Sequence, residues 1–585
     1  MRFLSNVLAV ILGLLIFCVI SFFILAGIIA ISAGESKVET EENSVLHLNL
    51  ENVILVERAV EEDFDLSAFG SFGNVPTVGL NQIKKAIRTA NKDENIKGIY
   101  LQSGNVFAGH ALLTEVRDEL ENFKESGKFI LSYSEALSEK GYFLSSVADE
   151  LYLNPLGLLE FNGLSSEMVF LKGLFEKIEV KPVIFRVGEF KSAVEPFILD
   201  KMSEESRLQT ESYLRDLNNY SLQEIAESRS INLERITEIN DQMLVRNTQD
   251  ALDLGLVDGL WYDDQVKDLL REKLGLEEDE DIQSINISKI NKTAEEENRL
   301  SKNRIAVIVA DGEIVSGKQE GVISSELFLQ EIRKAKNDED IKAIVLRVNS
   351  PGGSVLASEV IWRELSEAQK EKPLIASMSD VAASGGYYIS APADTIVAHP
   401  NTITGSIGIF GLWFNAQGLL NNKLGITTDV AKTGELSDFM SMDRELRDIE
   451  KEIVQSEVED GYDTFINRVA DGRGMSTAAV MKVASGRVWS GLDAKENGLV
   501  DVLGGLDDAI EIAADKAGIE DDYRVLYYPE QKTMLEKFVS EFSKDIEAMY
   551  VQFKLGGSYL LYEQLEKAKK YEGIMVRLPY DIVID

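Results

Sequence analysis

One stretch of this chain occurs twice, and the duplication limits what the chain can fold into. Gly141-Tyr-Phe-Leu-Ser-Ser-Val-Ala-Asp-Glu-Leu-Tyr-Leu-Asn-Pro155 aligns with Gly386-Tyr-Tyr-Ile-Ser-Ala-Pro-Ala-Asp-Thr-Ile-Val-Ala-His-Pro400 at an offset of 245, with six identities in fifteen positions. The register extends further. Arg88 meets Arg333 and Ile96-Lys-Gly-Ile99 meets Ile341-Lys-Ala-Ile344 at the same offset. Ala251-Leu-Asp-Leu-Gly-Leu-Val-Asp258 matches Ala494-Lys-Glu-Asn-Gly-Leu-Val-Asp501 after a net two-residue shift. Such a period is too long for a solenoid and fits a duplicated globular unit of roughly 200 residues.

Each copy reads as alternating strands and helices. In the second, Arg304 to Val309 is a short buried strand, Leu327 to Lys336 a helix, Ala343 to Val348 a strand, Ser354 to Gln369 a helix, and Pro373 to Ser377 a third strand. This order predicts an α/β domain with a largely parallel sheet. The expected organisation is a first repeat over 45–275, an acidic linker over 276–302, a second repeat over 303–519 and a C-terminal extension over 520–585. Polar stretches at 204–227 and 444–468 follow equivalent parts of the repeats and read as surface helices.

A chain of 585 residues, 45% of them hydrophobic, suffices for two or three cores. Its net charge of −39 argues against nucleic acid as a partner, because phosphate binding needs a basic face. The single cysteine, Cys18, excludes an intrachain disulfide. Residues 3–34 carry no charge, and Val7 to Ile31 is almost wholly apolar. That run exceeds the roughly 20 residues a membrane-spanning helix needs and the roughly 7–15 of a secretory signal's apolar region. An uncleaved anchor over 1–34 is expected, although Ala30-Ile-Ser32 has the small-x-small form of a cleavage site. Arg2 precedes the span and Glu35, Glu39, Glu41 and Glu42 follow it, which puts the rest of the chain outside the cytoplasm.

The candidate chemistry lies where the copies have diverged. Ser379-Asp-Val-Ala-Ala-Ser384-Gly-Gly-Tyr-Tyr388 has small residues on both sides of Ser384, and its counterpart in the first copy is Glu139. Alone, Ser384 reads as a packing serine, or as a nucleophile whose neighbour Gly385 offers an amide to an oxyanion. Asn349-Ser-Pro-Gly-Gly-Ser354 joins a strand to a helix; alone it reads as a tight turn, or as backbone N–H groups presented to an oxyanion or phosphate. The three histidines, His47, His110 and His399, lack an evident Asp/His/Ser context. A buried lysine with a lowered pKa can replace histidine as the base. Lys191, in Phe185-Arg-Val-Gly-Glu-Phe-Lys191-Ser-Ala-Val-Glu-Pro-Phe197, has about Ser437 as its counterpart. An isolated lysine is usually a solvated charge. Here each copy has kept the functional type that the other has lost.

From about residue 45 to 515 the chain resembles the signal peptide peptidase A (protease IV) family in its long, duplicated bacterial form. The resemblance rests on Ser-Pro-Gly-Gly at 350–353, Ala-Ala-Ser-Gly-Gly-Tyr-Tyr at 382–388, Thr-Gly-Ser-Ile-Gly at 404–408 and Phe-Lys-Ser-Ala-Val-Glu-Pro-Phe at 190–197. It implies Ser384 as nucleophile, Lys191 as general base and Ser406 as a hydrogen-bond partner of the lysine amine. It implies a fold similar to Clp protease and crotonase units, with an oxyanion hole placed at the amides of Gly353 and Gly385. It also implies cleaved signal peptides as substrates, a homo-oligomer such as a tetramer, contact with lipid through residues 3–34, and a site on the outer side of the bacterial cytoplasmic membrane. No metal or cofactor is expected: there is no Gly-Lys-Ser/Thr phosphate loop and no His-Glu-x-x-His. Two alternatives stand beside this reading. A crotonase-like acyl-CoA hydrolase or hydratase would have little use for Lys191, and an inactive membrane scaffold would have no reason to keep both Ser384 and Lys191.

Overall fold

A computed structural model describes residues 39–59, 76–294, 300–531 and 573–577, together with 12–14, 16, 17 and 20. The expected anchor therefore lies almost wholly outside the described residues, among which no helix is long and apolar enough to cross a membrane.

The duplication is visible as two sheets that share six parallel strands in one order, the second adding Ile403–Gly405 beside Leu374–Ala383 and, antiparallel to Ile403–Gly405, Val488–Ser490. In the first, the neighbours run Gly259–Leu260, Glu150–Leu159, Phe129–Leu137, Ile96–Gln102, Ser44–Asn49 and Ser284–Asn286. In the second they run Val502–Leu503, Thr395–Ala398, Leu374–Ala383, Ile341–Ser350, Arg304–Asp311 and Arg524–Tyr528. Strands covered on both faces are apolar at consecutive positions. In Arg304–Asp311, Ala306 and Ile308 pack with Phe328, Ile332, Ile361 and Leu365, while Ile305 and Val307 pack with Leu506, Ala509, Ile510 and Ala513.

Two segments differ from expectation. Residues 276–302 are not simply an exposed linker: Ser284–Asn286 adds an edge strand to the first sheet and helix Ile287–Thr293 follows it, burying Ile285 and Ile290. The acidic run at 277–281 hides these two isoleucines from a composition-based reading. Likewise the second sheet continues past residue 519, since Arg524–Tyr528 occupies the equivalent edge position.

A third sheet joins the repeats. Lys181–Val187, from the first, pairs antiparallel along its whole length with Ile409–Asn415, from the second. The sheet continues through Gly573–Arg577, Gly352–Ser354, Ile314–Val315 and Ile323–Ser324.

The repeats also share buried charge. Fully buried Arg347 donates to Glu57 at 2.9 Å and to Glu115 at 2.6 Å, both in the first repeat. It also reaches the hydroxyls of Ser377 and Ser379, at 2.9 and 3.1 Å, on the strand that leads to Ser384. On that strand Asp380 accepts from the amides of Ala111 and Leu112 at 2.9 and 3.0 Å, capping helix His110–Lys124 of the other repeat.

Candidate active site

Ser384 stands between strand Leu374–Ala383 and helix Gly385–Ser390, with φ 56° and ψ −112°. A positive φ in a residue with a Cβ is strained and persists only where the surroundings fix it. Here the Ser384 amide donates to Gly405 at 2.8 Å, and the Tyr388 amide donates to the Ser384 carbonyl at 2.8 Å. Gly386 must lack a side chain, because a Cβ there would lie 2.7 Å from the Ser350 carbonyl.

Lys191 follows the inter-repeat strand Lys181–Val187, which carries it across the repeat boundary. Its Nζ lies 2.8 Å from Ser384 Oγ, 3.0 Å from Ser406 Oγ and 3.1 Å from the Ser406 carbonyl. All three residues are fully buried. Among the described residues Lys191 has no carboxylate partner, and burial pushes its amine well below the ordinary lysine pKa of 10.5. The stem is walled by glycines. A Cβ on Gly486 would stand 2.7 Å from Lys191 Cβ, and one on Gly408 would stand 3.3 Å from Lys191 Cδ. A buried amine with a depressed pKa against a serine hydroxyl has the composition of an acyl-transfer site.

The glycine loop is close by. Gly385 opens a helix, so its amide is among those with no intrahelical partner. Gly352 has φ 101°, and a Cβ on Gly353 would meet the Ile314 carbonyl at 2.0 Å. Gly353→Ala should therefore displace the loop and lower peptide-hydrolysing kcat/KM by about 10²-fold or more, the scale of losing one oxyanion donor. Unchanged turnover in a folded variant would remove Gly353 from the site.

The diverged counterparts do other work. Glu139 accepts from the amides of Asn162 and Gly163 and from the Asn240 side chain, so it ties the first repeat's loops together. Ser437 lies in a turn, where it accepts from the Gly434 amide. None of the histidines bonds Ser384 or Lys191 among the described residues: His47 bonds Gln102 at 2.8 Å, His110 begins a helix of the first repeat, and His399 lies 3.8 Å from Glu115.

Sequence reasoning missed Gln209. Its amide nitrogen donates to the Phe190 carbonyl at 3.1 Å and to Ser192 Oγ at 2.9 Å, the residues on either side of Lys191. Its oxygen accepts from the Val488 amide of the second repeat at 3.1 Å. A buried glutamine in a polar helix gives no local signal of that role. Gln209→Ala should reduce kcat more than it raises KM, by loosening Lys191 without touching substrate. An unchanged kcat would count against this positioning role.

Comparison with known proteins sets the class: this is a serine peptidase. The chain belongs to peptidase family S49, which matches it twice, at residues 122–277 and 366–520. Protease 4 of Salmonella typhi is 35% identical over 90% of this chain and 87% of its own length. Protease 4 of Haemophilus influenzae is 36% identical over 84% and 82%. Among solved structures, a ClpP1 mutant from Listeria monocytogenes covers 35% of this chain and 94% of its own, at 18% identity and a TM-score of 0.23, too slight a likeness to carry an argument.

Proposed function

We propose that the chain is a membrane-bound endopeptidase that degrades cleaved signal peptides with Ser384 as nucleophile and Lys191 as general base. The observation that carries this reading is the fully buried Lys191 amine 2.8 Å from Ser384 Oγ, with no carboxylate partner among the described residues. Neutral Lys191 takes the hydroxyl proton as Ser384 attacks the peptide carbonyl. The amides of Gly353 and Gly385 hold the tetrahedral oxyanion. The ammonium then gives its proton to the leaving amine, and water attacks the acyl-enzyme with the same base. Ser406, bonded to Lys191 Nζ through both its hydroxyl and its carbonyl, fixes the amine's direction.

The uncharged segment 3–34 supports a single-pass anchor, with the catalytic repeats on the outer side of a bacterial cytoplasmic membrane. That position gives access to the apolar regions of signal peptides. The two repeats are proposed to be Clp- and crotonase-like units that assemble as a homo-oligomer, a tetramer in this reading.

The pH dependence follows from the lysine. Only the neutral amine is a base, so kcat/KM should rise with pH with a one-proton slope and level off once Lys191 has lost its proton. The unfolded chain, with lysine near 10.5, binds a proton that the folded site releases at lower pH. Stability therefore increases with pH between the depressed value and 10.5, and Lys191→Met should be more stable than wild type at neutral pH while inactive. A kcat/KM profile with no one-proton limb anywhere in the pH range over which the protein stays folded, or one whose limb is unchanged in Lys191→Met, would rule out lysine as the base.

A further inference from the structure

The turn Ser485-Gly486-Arg487 of the second repeat touches everything that holds the lysine. The Ser485 carbonyl accepts from the Phe190 amide at 3.0 Å, the Gly486 amide donates to the Ile407 carbonyl at 2.8 Å, and the Arg487 carbonyl accepts from the Ser406 amide at 2.7 Å. Gly486 lies against Lys191 itself, since a Cβ there would stand 2.7 Å from both the amide nitrogen and the Cβ of Lys191. Three consecutive residues thus meet the residue before the lysine, the lysine's stem and the backbone of its hydroxyl partner.

The first repeat shows the same turn without a lysine to hold. In the register that aligns Ala494 with Ala251, Gly486 falls on Met243 and Arg487 on Leu244. The backbone is alike: Met243 has φ 47° and Gly486 φ 78°, and Asn247 and Ser490 cap the helices that follow. Met243 is half exposed, whereas the glycine in its place lets Lys191 approach. Leu244 packs on the first repeat's core. Arg487 instead places its guanidinium over two rings, 4.0 Å from the centre of Trp489 and 5.2 Å from the centre of Phe190. Its Nε is buried without a hydrogen-bond partner, so the stack rather than a bond at that nitrogen sets its place. A planar guanidinium lies flat on aromatic faces, which neither leucine nor an ammonium can do. Trp489 is itself fixed, its indole nitrogen donating to the Val483 carbonyl at 2.8 Å.

We propose that Arg487 is a positioning residue of the Ser384–Lys191 site: its guanidinium, stacked on Trp489 and Phe190, closes the turn over the lysine loop and keeps water from the Lys191 amine. Arg487 acts through Phe190 and Ser406 and not on the reacting atoms. Burial is what lowers the lysine amine, so a wall that opens to water raises it toward its ordinary value. The ionisable groups around the turn are placed otherwise: Glu189 is exposed, Glu195 accepts from the Ser203 amide and hydroxyl, the Tyr462 hydroxyl accepts from the Ser485 amide, and Asp493 favours the charge of Arg487. The effect on turnover rests on the peptidase reading, whereas the effect on the lysine's titration does not.

The test compares pH profiles of full-length chains on a fluorogenic apolar peptide. Arg487→Met keeps the stem but removes plane and charge, and should move the rising limb of kcat/KM about one pH unit toward alkali, with activity about tenfold lower below the limb. On the alkaline plateau kcat should return to the wild-type value and KM should stay within about twofold, whereas general damage lowers the plateau and leaves the limb in place. Phe190→Leu should move the limb likewise, and the double variant no further, because both act through one contact. Arg487→Lys, which keeps charge without the plane, should not restore the wild-type limb. A limb that stays in place in folded Arg487→Met and Phe190→Leu, shifts that add in the double variant, or full restoration by Arg487→Lys overturns the proposal. A second readout is independent of turnover. In the chain carrying Ser384→Ala, the Lys191 Cε carbon resonance, identified by its loss in Lys191→Met, should titrate about one pH unit higher once Arg487→Met is added. If no chain hydrolyses peptide yet that midpoint moves, the peptidase reading fails and the role of Arg487 stands; a midpoint that does not move overturns it.

Discussion

Ser384→Ala and Lys191→Ala each lower kcat/KM for a fluorogenic leucine- or alanine-rich peptide by roughly 10³-fold or more, with circular dichroism unchanged. The two losses do not add. Removing the nucleophile leaves the amine with nothing to deprotonate, and removing the amine leaves a serine hydroxyl with no base within reach, so the double variant is no worse than the weaker single one. The three histidines do not substitute, because among the described residues none of them bonds Ser384. Arginine at 191 does not restore activity either, since a guanidinium stays charged at any working pH. A folded single variant that retains wild-type turnover contradicts the dyad.

Arg347→Ala destabilises the protein by about 3–5 kcal/mol, because it strands two carboxylates in the interior. Glu57 and Glu115 are buried, and Arg347 bonds both. Lys84, which also pairs with Glu115 at 2.9 Å, compensates only part of that charge. The damage reaches the site as well as the fold. Arg347 bonds Ser377 and Ser379, and the strand they occupy sets the position of Ser384. Urea denaturation with activity measured in parallel distinguishes the outcomes: a midpoint within error of wild type would show the network to be dispensable. Replacing Arg347, Glu57 and Glu115 together by apolar residues of similar size should recover much of the loss, since a buried ion network is often no more stable than good packing.

The fold was legible where the chemistry is local. Runs such as Ile305 to Val309 announce strands covered on both faces, and the repeat offset foretold two sheets of one order. Ser384 and Lys191 were legible by comparing the copies and through the family resemblance, because neither residue alone stands out among its neighbours. What escaped the sequence is long-range. Arg347 looks like a stray charge in an apolar strand, and its partner Glu57 is 290 positions away. Gln209 acts through carbonyl and amide groups that no pattern records. The strand Gly573–Arg577 is five residues long, and its neighbours are Gly352–Ser354 and Ile409–Asn415, far back along the chain. Residues 276–302 were misjudged because average composition outweighs two well-placed isoleucines, Ile285 and Ile290.

The most direct test of the central claim is covalent trapping. A peptidyl phosphonate that reacts only with an activated serine should label the wild-type chain at Ser384 alone, as read by peptide mass spectrometry. In Lys191→Ala the rate of labelling should fall by about two orders of magnitude or more. In wild type it should climb with pH in step with kcat/KM. Labelling at another serine, or labelling of Ser384 at an undiminished rate without Lys191, would contradict a serine activated by a buried lysine.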